Sequence, residues 1–530
     1  MMVSGTRVTP SSVNTAILLS TILSAIPSLP SANAEGRIDG AGGDRFGFAI
    51  TSGDLDSDGQ LDLVVTAPHP SGGNQVYVFS GPLDLSDDLA LDTSMASVTI
   101  SGPFNSETGW SVAVGDINGD GNDDLVVASP NEAVGAGNLH IFEGPLSGGI
   151  SLDTSNADHS IVGGVAYDYL GWSLTLGDFD DDGVVEIGAG ACGVGSGVEE
   201  GLGAAYIFDL DGPTLPTSVA DATATFKGSG KTGCALASAD FNDDGADELV
   251  IGSYGDYLNT GLGWGGSAAI VYGRAQFDSD YSLRNSDLID QDIALIRSEL
   301  SGSNLGFDLA SGDLNGDGHA DLILGAPSKR CYGCSTWDHF GRTYVVLGGR
   351  DVGGPNGGRV LAGSSSVADV SDIIYEDFSY ADEFGRSVAS PGFAGPVFGD
   401  TGRMAFGAPV YGPLVMVGSG ANTGWGLAYD AGARYQIGPD YDCTWNPDLG
   451  TLTCDLPKEP NDPRSLRIDV GALVWGGHRF EGGPGEVFGF EVHGADFDAD
   501  GLSDLVFGAS HQLDFEDPAG DGKVFLFQGR

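Results

Sequence analysis

Six short stretches of this chain set acidic or amide side chains at alternate positions of a tight turn. They are GDLDSDGQLD (Gly53 to Asp62), GDINGDGNDD (Gly115 to Asp124), GDFDDDGVVE (Gly177 to Glu186), ADFNDDGADE (Ala239 to Glu248), GDLNGDGHAD (Gly312 to Asp321) and ADFDADGLSD (Ala495 to Asp504). Counting from the leading Asp, side-chain oxygens stand at positions 1, 3, 5 and 9, with Gly at position 6. Alternate side chains of such a turn converge on one point, and Gly at 6 supplies the positive φ the turn needs. A carbonyl from position 7 completes an oxygen shell. Hard oxygen ligands at this charge count suit Ca2+, at about 2.3–2.6 Å, better than Mg2+, which keeps its waters.

The expected ligand sets follow by register. They are Asp54, Asp56, Asp58, Gln60 and Asp62; Asp116, Asn118, Asp120, Asn122 and Asp124; Asp178, Asp180, Asp182, Val184 and Glu186; Asp240, Asn242, Asp244, Ala246 and Glu248. Two more are Asp313, Asn315, Asp317, His319 and Asp321, and Asp496, Asp498, Asp500, Leu502 and Asp504. An EF-hand is excluded, because it needs a bidentate Glu at position 12, where this chain has Val65, Val127, Ala189, Ile251, Leu324 or Phe507. The loops hold 25 of the 75 acidic residues. Carboxylates packed this closely disfavour one another's ionised forms unless a cation joins them. About six structural Ca2+ sites are expected.

The elements that position these loops recur with them. Eight residues before each leading Asp stands an aromatic residue or a substitute, followed by Gly: Phe46-Gly47, Thr108-Gly109, Leu170-Gly171, Thr232-Gly233, Leu305-Gly306 and Phe488-Gly489. A seventh copy, Phe384-Gly385, keeps this part but carries PGFAGPVFGD in place of the acidic loop. The glycines at 47, 109, 171, 233, 306, 385 and 489 lie 62, 62, 62, 73, 79 and 104 residues apart, so the later repeats carry insertions. Repeat one reads as Phe48-Ala49-Ile50, the acidic loop, Leu61 to Thr66, Gln75 to Phe79 and Ser97 to Ile100. These are short apolar strands between Gly, Pro and Asp turns. Helical periodicity is confined to Leu288 to Leu300.

Repeated four-stranded units predict an all-β fold, a seven-bladed β-propeller of four-stranded antiparallel sheets. A strand near Arg37-Ile38-Asp39 is expected to pair with the last one, Lys523 to Phe527, and close the ring. Residues 35–530 then form one propeller with insertions in the later repeats.

Acids outnumber bases by 75 to 22, for a net charge of −53, which excludes a basic nucleic-acid footprint. Arg7, the apolar run Ala16 to Ile26 and Ala32-x-Ala34 read as a signal peptide over residues 1–34, with the mature chain starting at Glu35. The apolar run is too short to span a bilayer, and no membrane span is expected. The protein is expected to be secreted or on the exterior of the cell envelope, where disulfides are permitted. Cys443 and Cys454 bracket a turn-rich segment and are expected to bond. Cys331 and Cys334 form a lone CxxC, open to a local disulfide or two free thiols.

The register FG…GDxNxDGxxDLxxGAP, clear in Phe46-Gly47, Asp54 to Asp62 and Thr66-Ala67-Pro68, resembles the FG-GAP repeats of integrin α-subunit head domains. The resemblance implies a seven-bladed propeller with calcium in hairpin loops on one face. It also implies that the residues after the FG-type glycines, Phe48, Trp110, Trp172, Phe307 and Phe490, ring the axis of the partner face and enclose a partner's cation. Cys234 occupies this slot in repeat four, and Cys192 stands where repeats one and two have Pro68 and Pro130, so a Cys192–Cys234 bridge between neighbours is expected.

No HExxH, GxSxG or P-loop is present. Metal binding explains most paired carboxylates, and whether the chain is an enzyme stays open, with non-enzyme favoured. The expected function is a secreted calcium-binding adhesion or ligand-binding module for a protein or glycan partner. The alternative is a polysaccharide lyase or hydrolase on the same scaffold. Trp337, Trp425, Trp445 and Trp475, all placed in insertions, are the residues suited to stacking on sugars.

Overall fold

The structure, a computed structural model, describes residues 28–30, most of 34–376, the strands between 387 and 481, most of 488–509, and 522–528. Its cores form around the most continuously apolar segments. In repeat one, Asp62–Ala67 is buried at every position, so it needs cover on both sheet faces rather than one. Asp124–Ser129, Glu186–Ala191, Glu248–Ser253, Asp321–Ala326 and Asp504–Ala509 are buried in the same way. That cover comes from neighbouring sheets: one core cluster joins Leu139 and Ile141 of repeat two to Ile187 and Tyr206 of repeat three.

The fold is an all-β propeller of small, mainly antiparallel sheets. Repeat one orders Ile50–Gly53, Asp62–Ala67, Gln75–Phe79 and Val98–Ser101 as antiparallel neighbours. A fifth strand, Ile150–Asp153 from repeat two, joins Val98–Ser101 in parallel. Among the described residues, six sheets have this five-stranded form, while that of repeat two has four strands, with a parallel bridge from Val162 to Ser218. The four-stranded unit read from the sequence is therefore corrected outside repeat two. The added strand covers an outer edge that would otherwise expose unpaired backbone groups.

The innermost strands neighbour one another in chain order, from Ile50–Gly53 through Val112–Gly115, Leu170–Gly177, Thr232–Ala239, Leu309–Gly312 and Ser387–Ala389 to Phe488–Ala495. The last of these lies beside the first. Gly36–Asp39 pairs antiparallel with Lys523–Phe527, the closure expected from the sequence.

Gly47 shows why the glycines recur. Its φ is +82°, and a Cβ there would sit 2.8 Å from the Lys523 carbonyl oxygen of the adjoining sheet. The residue before it is a core plug. Phe46 is fully buried against Tyr77 and Phe79. Where Thr takes the Phe slot, Ser replaces the facing Ala at the end of the second strand: Thr108 bonds Ser129 and Thr232 bonds Ser253, both at 2.7 Å between hydroxyl oxygens. Each buried hydroxyl thus finds its partner.

Three expectations change. The segment proposed as helical contains the strand Ile293–Arg297, paired with Ser267–Val271 and Gly363–Ser366; a short apolar run does not distinguish helix from strand. The first strand of repeat one begins at Ile50, not Phe48, because the N–H groups of Gly47 and Phe48 both donate to the Thr66 carbonyl, which breaks the regular ladder there. Trp425 begins the third strand of repeat six, Trp425–Asp430, rather than lying in a loop. Trp445 lies in Cys443–Asn446, which pairs with Thr451–Cys454 so that Cys443 faces Cys454 in register. Trp337, Trp475, Cys331 and Cys334 lie outside the described residues. Ser28–Pro30, within the expected leader, pairs in parallel with Gly477–Glu481. Among the described residues no helix is long and apolar enough to cross a membrane.

Candidate metal centres and axial pocket

Among the described residues, five of the acidic loops are turns that their own carboxylates tie. The backbone N–H groups of Asp58 and Gly59 donate to the Asp54 carboxylate at 2.9 and 2.8 Å, and Gln60 N–H donates to Asp58 at 2.8 Å. The same three bonds recur at Asp116 and Asp120, at Asp178 and Asp182, and at Asp240 and Asp244. Position 6 has the expected positive φ, from +88° at Gly59 to +103° at Gly245. Position 4 is left-handed too, at Ser57, Gly119, Asp181, Asp243 and Ala499. The sequence reading missed this second kink, whose signal was Gly119 itself.

The turns bring side-chain oxygens together. Asp178, Asp180, Asp182 and Glu186 each place one oxygen within 4.8 Å of the others, as do Asp54, Asp56 and Asp58; Asp240, Asp244 and Glu248; and Asp496, Asp498 and Asp500. Position 9 divides by length. Asp62 accepts from Leu55 N–H at 3.0 Å and Gly81 N–H at 2.9 Å, and Asp124 accepts likewise from Ile117 and Gly144. Both anchor the turn from below and stand outside the clusters, whereas the longer Glu186 and Glu248 reach in. Asp504 accepts from Phe497 N–H at 2.9 Å and is also outside its cluster. Of the fifth loop, Asp313, His319 and Asp321 are described, and His319 Nδ1 lies 3.9 Å from Asp243. Asn315, Asp317 and Leu502 fall outside the described residues.

The donor set fits a hard cation. Asp56 Oδ1, Asp180 Oδ1 and Asn242 Oδ1, all at position 3, are buried with no hydrogen-bond partner. A bound cation would satisfy these oxygens, which otherwise bear an uncompensated desolvation cost. Burial first, with neighbouring carboxylates adding to it, pushes Glu186 up to about 8 and Glu248 up to about 9. Burial likewise raises Asp62 and Asp124 to about 6.

Neighbouring loops are also linked. Asp54 N–H donates to Asp123 at 2.8 Å and Ser57 Oγ–H to Asn122 Oδ1 at 2.8 Å, while Asp178 N–H donates to Asp247 at 3.1 Å. The position-8 Asp of repeats two and four thus latches the preceding loop. Its signal was an acid outside the ligand register, at 123 and 247.

A pocket of about 580 Å³ is lined by Phe48, Trp110, Trp172, Cys234 and Phe307, residues that follow the FG-type glycines. Phe48 and Trp110 have ring centres 4.7 Å apart, and Trp110 and Trp172 4.6 Å apart. Tyr254, 5.0 Å from Phe307, joins the wall, with Asp308 and Glu491. Burial, with the charge of Asp308 adding to it, raises Glu491 well above the usual carboxylate range. The sequence reading missed Tyr254, Asp308 and Glu491; the last two follow ring positions directly. Phe490 lies in Phe488–Ala495, with its side chain outside the described residues. Cys192 and Cys234 form the expected disulfide, with Cα atoms 4.9 Å apart.

The FG-GAP repeat family matches residues 46–79, 108–142 and 305–346. The chain carries FG-GAP repeats. It is 32% identical over 187 residues to human phosphatidylinositol-glycan-specific phospholipase D, covering 32% of this chain and 21% of that protein. Mouse phosphatidylinositol-glycan-specific phospholipase D is 35% identical over 154 residues, 26% of this chain and 17% of the relative. Mouse integrin alpha-3 is 38% identical over 112 residues, 20% of this chain and 10% of the relative. The chain thus spans about a fifth or less of the length of these relatives. The matched segments contain the first two acidic loops and the fifth, together with Phe48, Trp110 and Phe307.

Proposed function

We propose that this FG-GAP repeat chain is a secreted binding module. In this reading its sheets close as one seven-bladed ring, calcium stiffens the hairpin loops, and the axial pocket receives a protein partner. The observation that carries the proposal is the pairing of an aromatic wall with two acidic side chains, of which Glu491 would ionise on meeting a cation. Phe48, Trp110, Trp172 and Phe307 line the same cavity as Asp308 and Glu491. Aromatic faces attract cations, and a carboxylate strengthens that attraction where water is displaced. A lysine or arginine side chain suits such a cavity better than a neutral sugar.

The surface around the pocket supports a protein partner. From Trp172 an aromatic chain runs to Tyr169 at 5.9 Å and on to Tyr167 at 6.3 Å, and Tyr167 is 53% exposed. The acidic loops would each bind Ca2+ through carboxylate and amide oxygens, supplying charge neutralisation and rigidity.

The test is a titration of tryptophan fluorescence with lysine- and arginine-containing peptides, beside a glycan array, both in millimolar calcium. Cationic peptides are expected to bind, with Trp110→Ala and Asp308→Asn each weakening them about tenfold, the size of one cation–π or charged contact. Glycan binding untouched by either substitution would sink this assignment.

A further inference from the structure

The Ala32-x-Ala34 motif lies in the sequence between two described strands, Ser28–Pro30 and Gly36–Asp39. In the five-stranded sheets the added strand is parallel and comes from the chain just ahead of the next sheet's outermost strand. Leu89–Asp92 joins Gly36–Asp39 and precedes Val98–Ser101, while Ile150–Asp153 joins Val98–Ser101 and precedes His159–Val162. Leu466–Asp469 plays this part on Ile373–Glu376. Ser28–Pro30 obeys the same rule, joining Gly477–Glu481 in parallel and preceding Gly36–Asp39.

The register carries the likeness down to single residues. Leu29 pairs with Phe480 as Leu91 pairs with Ile38 and Leu152 with Ile100. Five residues separate the added strand from the outermost one in all three places: 31–35, 93–97 and 154–158. Two of these connections are Thr93-Ser94-Met95-Ala96-Ser97 and Thr154-Ser155-Asn156-Ala157-Asp158. The third is Ser31-Ala32-Asn33-Ala34-Glu35, so Ala34 stands 62 residues before Ala96, in phase with the repeat. The Glu35 carbonyl accepts from Leu89 N–H at 2.8 Å, as that of Ser97 accepts from Ile150 N–H at 3.0 Å. Small residues at 32 and 34 therefore have a reason in the repeat that owes nothing to a peptidase.

We propose that the propeller begins at Ser28, that Ala32-Asn33-Ala34 is a repeat connection, and that any leader is cut upstream of Ser28. Cleavage after Ala34 would remove the strand covering the outer edge of the repeat-six sheet and leave Gly477–Glu481 unpaired on that side.

Two measurements test this. The full chain, exported from a secreting bacterial host, is expected to yield a product whose N-terminal sequence and intact mass retain Ser28. Separately, chains starting at Pro27 and at Glu35 are compared by amide hydrogen exchange. The shorter chain is expected to exchange about tenfold faster within Gly477–Glu481, the effect of losing one or two net backbone hydrogen bonds. An exported product starting at Glu35, or equal exchange in that strand, overturns the proposal.

Discussion

At the scale of single residues, the acidic loops show one residue type doing two jobs. Asp54 and Asp58 tie the turn through backbone N–H groups, and Asp56 points a buried, unpartnered oxygen inward. Replacing Asp180 with Asn keeps shape and removes one charge from a four-acid cluster. Calcium-induced stabilisation is expected to fall by about 1.4 kcal/mol, the linkage of one site held tenfold above its dissociation constant. Differential scanning calorimetry with and without calcium reads this; equal gains for Asp180→Asn and the parent would remove loop three as a calcium site. The Thr–Ser plugs give a second prediction. Thr232→Val leaves the buried Ser253 hydroxyl without its 2.7 Å partner. Denaturant unfolding should show a loss of about 1–2 kcal/mol, and Thr232→Val with Ser253→Ala should recover most of it.

Between residues and the whole ring lies the sheet and what joins it to its neighbour. The Cys192–Cys234 bond ties the turn that follows the second strand of repeat three to the first strand of repeat four across 42 residues. Closing a loop of that length predicts about 4 kcal/mol in the chain-entropy picture, less in practice. Cys192→Ala with Cys234→Ala should therefore lower stability by about 2–4 kcal/mol, measured by denaturant unfolding of the oxidised parent and the variant. An unchanged midpoint would mean that packing alone holds this junction. Strands two to four of repeat one were legible to within one residue, because period-two and continuous apolar runs are local signals. The parallel fifth strands were not. Their pairing joins segments from successive repeats, and a polar edge segment such as Gly363–Ser366 has no apolar pattern to announce it.

Across the whole molecule, charge dominates. A net charge of −53, with a third of the acids in six loops, makes the metal-free fold sensitive to pH. Glu186 and Glu248 have folded-state values of about 8 and about 9, above the 4.5 of an ordinary Glu. A raised value means the protonated form is favoured by folding. Its stabilising effect is full below about 4.5 and lost as pH rises through 8 to 9. Melting temperature in EDTA should therefore fall between pH 5 and pH 9, and millimolar calcium should abolish or reverse that fall by pairing the ionised carboxylates. A calcium-independent pH profile would remove the metal role of these loops.

The sequence by itself determined the repeat, the spacing of the acidic loops, the pairing of Gly36–Asp39 with Lys523–Phe527 and the Cys192–Cys234 bond. All of these follow from spacing, which a 62-residue period makes readable. Only the tertiary structure decided which position-9 carboxylates reach their cluster, that Asp123 and Asp247 latch adjacent loops, that Asp308 and Glu491 share the aromatic cavity, and that Ser28–Pro30 covers the repeat-six edge. The last three depend on distances between different repeats. Such distances are set by how sheets pack and strands pair across the ring, not by the order of residues along any one turn.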